Sequence, residues 1–192
     1  MPKRNEKGFT LIEVVVVVAV IAILAAVLTP YITKYIDDSK IAKARNEVQV
    51  IGAAMTNFYK DVGIWPNRNA AGAVGVIPYY TGPTTPTAAA VFTGAPPVVP
   101  AVAAWANSAT AVPLDNSLLA NSGYPATGDL SWRGPYAGSA LPADPWGRPY
   151  MVNVAATNLL PVWVLSAGPN GKVQTRIIDN VVLGDDIGFR VQ

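Results

Sequence analysis

The chain has 192 residues, 14 of them basic and 12 acidic, with no cysteine and no histidine. That composition excludes disulfides, zinc–thiolate sites, thiol nucleophiles and any Ser-His-Asp triad. Setting aside Lys3, Arg4, Glu6 and Lys7 at the head leaves 11 charges of each sign, and a balance near zero without a basic run argues against nucleic acid as the main partner.

Residues 1–8 form a short charged head ending in Gly8, and residues 9–29 are apolar apart from Thr10, Glu13 and Thr29. These 21 residues, at about 1.5 Å each, suffice to cross a hydrocarbon core of roughly 30 Å as a helix. A carboxylate inside such a helix costs on the order of 2 to 3 kcal/mol, so Glu13 asks for a partner. Lys3, Arg4 and Lys7 mark the side that stays cytoplasmic, and the apolar run lacks the small-x-small cleavage pattern of a secretory peptide. Any processing point therefore precedes the apolar run.

The run Gly8-Phe9-Thr10-Leu11-Ile12-Glu13 and its apolar continuation resemble the class III signal of type IV pilins and type II secretion pseudopilins. The resemblance implies cleavage by a prepilin peptidase between Gly8 and Phe9 and N-methylation of Phe9. It also implies an assembly and register contact in which Glu13 pairs with the Phe9 amine of a neighbouring subunit. A buried carboxylate with an ammonium partner is far less costly than either group alone.

Pro30 follows, and a proline inside a helix removes one backbone hydrogen bond, which predicts a kink or local unwinding. Over residues 30–62, Ile41, Ala44, Val48, Ile51, Met55, Phe58 and Val62 recur at three- and four-residue steps. They form the core-facing stripe of an amphipathic helix that runs to about Asp61 and is stopped by Gly63 and Pro66. Residues 63–131 turn to Ala, Val, Thr, Pro and Gly and predict a long loop-rich insertion. Its rings Tyr79, Tyr80, Phe92, Trp105 and Tyr124 serve either as anchors for that loop or as an aromatic platform for sugar or a partner subunit; the anchoring role is favoured.

In residues 132–192 the segments Pro149–Val154 and Pro161–Ser166 are short and β-rich and predict an antiparallel sheet. Leu141-Pro142-Ala143-Asp144-Pro145-Trp146-Gly147-Arg148-Pro149-Tyr150, Leu165-Ser166-Ala167-Gly168-Pro169-Asn170-Gly171 and Gly184-Asp185-Asp186-Ile187-Gly188 resemble the major pseudopilin of type II secretion. That family holds calcium between two C-terminal loops. The resemblance makes Asn170, Asp185 and Asp186 the ligand candidates, with a backbone carbonyl near Ala167, and oxygen donors on flexible loops suit a hard cation. Asn170 stands where the family commonly carries Asp, so the expected affinity is weak to moderate.

The expectation is an α+β fold: one long N-terminal helix, a membrane or filament-core half followed by an amphipathic half, packed on a small antiparallel sheet and interrupted by the insertion. The expected function is structural and not enzymatic: a subunit of a type II secretion pseudopilus, anchored once in the bacterial inner membrane and then assembled into a homo-oligomeric filament. The resemblance implies an inner-membrane assembly platform and minor pseudopilins as further partners. Two alternatives stand beside it: a type IV major pilin of a surface fibre, and a membrane-tethered carbohydrate-binding module.

Overall fold

A computed structural model of the chain describes residues 8–66, 79–80, 112–154, 161–175 and 179–191. It divides into two compact units, Met1–Ser39 and Lys40–Gln192. Helix α1, Leu11–Val62, contributes to both.

The helix begins with a reciprocal cap. The Glu13 carboxylate accepts the Thr10 backbone N–H at 2.8 Å and the Thr10 hydroxyl at 2.7 Å, while Thr10 Oγ1 accepts the Glu13 N–H at 3.3 Å. Backbone donors that the first turn would leave orphaned are thereby satisfied. The unwinding expected at Pro30 does not occur: α1 is continuous through it. Proline withholds one donor, and hydroxyls on either side back-bond to the helix, Thr29 to the Ala25 carbonyl at 2.7 Å and Thr33 to the Thr29 carbonyl at 3.0 Å. An interior proline with back-bonded hydroxyls bends a helix more often than it ends one. Among the described residues of the first unit the large apolar side chains are exposed, from Ile36 at 51% to Phe9 at 88%.

From Lys40 onward the helix has an inside. Ala44, Val48, Ile51, Gly52, Ala54, Met55, Phe58 and Val62 are buried, which is the expected stripe with Gly52 and Ala54 added and Ile41 packed at its margin. Gly63, at φ 77°, ends α1 as anticipated, its N–H reaching the Tyr59 carbonyl at 2.8 Å. A left-handed residue closes a helix in this way, and glycine takes that conformation without steric cost.

The stripe shares one core with a sheet of strand order β2-β1-β3-β4-β5, where β1 is Tyr79–Tyr80, β2 Val112–Pro113, β3 Met151–Asn153, β4 Trp163–Ser166 and β5 Ile187–Arg190. Strands β3, β4 and β5 pair antiparallel, as expected, and the β1–β2 pair is parallel. Side chains alternate between faces with period two. Val152 and its cross-strand partner Val164 join the core shared with α1, whereas the pair Met151 and Leu165 forms a second cluster with Val173 and Val182. Both faces of β4 are therefore covered, which is why all four of its residues are buried.

The end of the expected insertion is not loop-like padding. Leu114 and Leu118 are fully buried beside and within the short helix α2, Asp115–Leu118, and the Tyr124 ring meets Phe58 edge-on at 4.9 Å. An Ala/Pro-rich composition concealed these core positions because they are few and unevenly spaced. Phe92, Trp105 and the side chains of Tyr79 and Tyr80 lie outside the described residues. The buried Tyr124 ring is an anchor and leaves the sugar-platform reading without support at that position.

Candidate functional site

Two places hold the expected functional residues. The first is the start of α1. Gly8 and Phe9 are exposed ahead of it, and Phe9 is 88% accessible. Both capping bonds from Thr10 end on Glu13 Oε2, so neither uses Oε1. Glu13 is expected only to make an intersubunit contact. The T-x-x-E spacing before an apolar run was the signal for its second role, as a helix cap.

The second place is the C-terminal loop pair. Asp144 organises it from the turn 144–148: its Oδ1 accepts the backbone N–H of Trp146 at 3.0 Å and of Arg148 at 2.7 Å, and its Oδ2 accepts the Ser166 hydroxyl at 2.7 Å. Ser166 Oγ in turn accepts the Gly168 N–H at 3.1 Å. Arg148 Nη1 donates to the Gly168 carbonyl at 2.6 Å. The turn is thus tied to the end of β4 and to the loop beyond it. Asp144, Arg148 and Ser166 stood in the motifs but had no assigned role; a carboxylate followed by Pro-x-Gly is the signal of such a self-bonded turn.

Of the four expected calcium ligands the structure brings two together. Asp185 Oδ2 accepts the Asn170 backbone N–H at 3.0 Å, and Asp185 Oδ1 accepts the Asn170 carboxamide. Asp186 takes a different role, its Oδ2 accepting the N–H groups of Gln174 at 2.8 Å and Thr175 at 2.6 Å, while its Oδ1 is buried without a hydrogen-bond partner. Burial pushes the Asp186 carboxyl above its ordinary value, against the pull of the Thr175 and Gln174 N–H groups. Ala167 is buried at the head of the loop, and the carbonyl that the structure engages there belongs to Gly168. A donor amide turned towards Asp185 is the wrong chemistry for a cation ligand, so these residues as they stand do not fit a calcium site.

Two family models match the sequence: the prokaryotic N-terminal methylation motif over residues 3–29, and type II secretion system protein G over residues 102–183. Together they cover more than half of the chain. The chain carries the N-terminal motif and a protein G-type domain of type IV pilin-like proteins. The second match begins well inside the expected insertion, in keeping with the core positions found at Leu114, Leu118 and Tyr124.

This pilin-like chain is 35% identical over 74 residues to fimbrial protein EcpC of Eikenella corrodens, covering 38% of the chain and 48% of that relative. It is 40% identical over 67 residues to type IV major pilin protein PilE1 of Neisseria gonorrhoeae, 35% of the chain and 31% of the relative. It is 31% identical over 67 residues to type II secretion system core protein G of Pseudomonas aeruginosa, 35% of the chain and 47% of the relative. The matches thus span between about a third and a half of these relatives. No solved structure matches at a comparable level. In this family the motif at residues 3–29 belongs to structural subunits, and α1 is long and apolar enough to cross a membrane, as expected of a membrane-anchored precursor.

Proposed function

We propose that the chain is a structural subunit of a type II secretion pseudopilus, stored in the inner membrane by α1 and drawn from it into a filament that promotes protein export. The observation that carries this reading is the protein G match over residues 102–183, on a domain where the Asp144–Arg148 turn and the loop after β4 are bonded into one unit. The leader is cut after Gly8 by a prepilin peptidase and Phe9 becomes the methylated N-terminus. Each subunit then presents an apolar rod with no internal partner, and rods that pack against one another remove that surface from lipid or water together.

Glu13 sets the register. Its Oε2 holds the helix cap, and its Oε1 receives the Phe9 ammonium of a neighbour, so the cap and the intersubunit pair coexist on one carboxylate. Pairing offsets the cost of a carboxylate in an apolar bundle and fixes the axial position of adjacent rods. The inner-membrane assembly platform and minor pseudopilins are the partners that this reading requires.

Mass spectrometry of the mature subunit is expected to show Phe9 as its first residue, and Gly8→Leu to leave uncut precursor. Glu13→Val should still enter the membrane while filaments fall at least about tenfold, the loss that a 1.4 kcal/mol change in each contact produces. Equal filament yield would end the role given to Glu13. The reading as a surface pilin is favoured by the relatives named as fimbrial protein and major pilin. Removing the chain from its own cell separates the two: lost export with intact surface fibres supports the pseudopilus, and lost fibres with intact export supports the pilin.

A further inference from the structure

The loops expected to share a cation, 167–171 and 184–186, do meet, and protein donors occupy the junction. Asp185 is engaged at both oxygens by Asn170, once through the backbone N–H at 3.0 Å and once through the carboxamide. The orientation of that carboxamide is fixed from behind: the Lys172 backbone N–H donates to Asn170 Oδ1 at 2.6 Å. Turning the amide over would set its NH2 group against the Lys172 N–H and its oxygen against a carboxylate, two repulsions in place of two hydrogen bonds. The face offered to Asp185 is therefore a donor, and a cation there would meet the positive ends of N–H dipoles.

On the other side of the same loop a fixed positive charge is already in place. The Arg148 guanidinium donates to the Gly168 carbonyl and lies so close to Gly171 that a Cβ added there would come within 2.6 Å of Arg148 Cζ. Gly168, at φ 61°, lets the Asp185 backbone carbonyl approach to where a Cβ would lie 2.0 Å from it. The one carboxylate oxygen left without a hydrogen bond, Asp186 Oδ1, is a single ligand where calcium takes about six to eight. Among the described residues no three acidic groups converge.

We infer that in this chain the Asn170 backbone N–H and carboxamide take the place of a divalent cation, closing loop 167–171 onto 184–186 while Arg148 holds that loop to the 144–148 turn, so that the C-terminal lock is independent of calcium. A neutral amide opposite Asp185 removes the like-charge repulsion that a second carboxylate would bring. The lock then holds wherever the subunit is, before and after assembly, without drawing on an ion from its surroundings.

The test is thermal unfolding of the full chain in detergent micelles, in about 10 mM calcium and in chelator; that concentration lies some tenfold above the dissociation constants of weak oxygen-ligand sites. The parent should melt at the same temperature in both. A rise of about 3 °C or more with calcium, the shift that tenfold excess over the dissociation constant gives a domain of this size, overturns the inference. Asn170→Asp should melt below the parent in chelator and recover on adding calcium, since it opposes two carboxylates and completes a cation site. An unchanged melt of Asn170→Asp in chelator would show that the carboxamide holds nothing and would also overturn it. The mature N-terminus is read on the same preparations: a calcium-responsive parent that begins at Phe9 removes the clasp and leaves the filament reading standing.

Discussion

One helix carries two opposite solutions to the burial of apolar side chains. In its first unit, Val14 to Leu28 is apolar on every side and Val14, Ile23 and Val27 are more than half exposed; in its second, Val48, Ile51, Met55 and Phe58 lie on one stripe and are 1% exposed or less. A helix that is apolar all round requires a partner outside its own chain, whereas a striped helix finds one by folding. The difference separates two kinds of stability: the second unit's is a property of the subunit, the first unit's of a membrane or an assembly.

Matched truncations test that division most directly. Phe58→Ala removes a fully buried ring that meets both Tyr124 and Tyr136 and should destabilise the domain by roughly 3 to 5 kcal/mol, measured by denaturant unfolding. Ile23→Ala removes similar apolar bulk where the subunit has no neighbours for it; it should leave the unfolding transition unchanged and reduce the filament's resistance to shear. A loss of subunit stability from Ile23→Ala would break the comparison.

Gly52 gives the next largest effect. A Cβ there would come within 2.4 Å of the Phe189 ring on β5, so Gly52→Ala should cost about 1 to 3 kcal/mol through overpacking. At an exposed position of the first unit a methyl group on a helix would instead help. Tyr150→Phe should cost about 1 kcal/mol by removing the hydroxyl that donates to Glu47, which keeps Lys43 as an ion-pair partner at 3.8 Å. Equal unfolding midpoints for Tyr150→Phe and the parent would mean that the hydroxyl does as well in water.

The smallest effect concerns charge. Asp115 is partly buried, which raises its carboxyl above the ordinary value although the Leu141 N–H, 3.1 Å from Oδ1, pulls it down. The folded chain therefore holds this proton more tightly than the unfolded chain, so the cost of ionising it is fully present above the folded pKa and fades as pH falls towards the ordinary carboxylate range. Asp115→Asn keeps an acceptor for Leu141 and should melt slightly above the parent at neutral pH, the gap closing near about pH 4. A gap that widened on acidification would reverse the sign assigned to Asp115.

The most legible parts of the sequence were those where periodicity and punctuation agree. The stripe from Ile41 to Val62, the stop at Gly63 and the strands β3 and β4 followed from spacing, a left-handed glycine and β-branched runs. Strand β5, four residues with Gly188 and Arg190 inside it, carries no such run and is a strand because β4 offers it an edge. Gly52 has no local meaning until Phe189 arrives from the far end of the domain. Asp185 and Asp186 are adjacent and chemically identical, yet one faces Asn170 and the other faces the backbone of Gln174 and Thr175; only the path of the chain separates them. The Thr10–Glu13 cap was readable but was eclipsed by the cost of the charge itself.

The bond between Tyr150 and Glu47 joins residues 103 positions apart, and strands β3, β4 and β5 likewise come from the far end of the chain relative to the stripe on α1. Closing so wide a loop precedes any gain from the contacts within it, so the domain belongs with slow folders whose early segments wait for late ones. During that wait Met55 and Phe58 are uncovered. On the proposed reading, a leading segment lodged in the bilayer holds the nascent chains in a membrane plane until their own sheets are complete, a kinetic safeguard against the aggregation that exposed stripes invite in free solution.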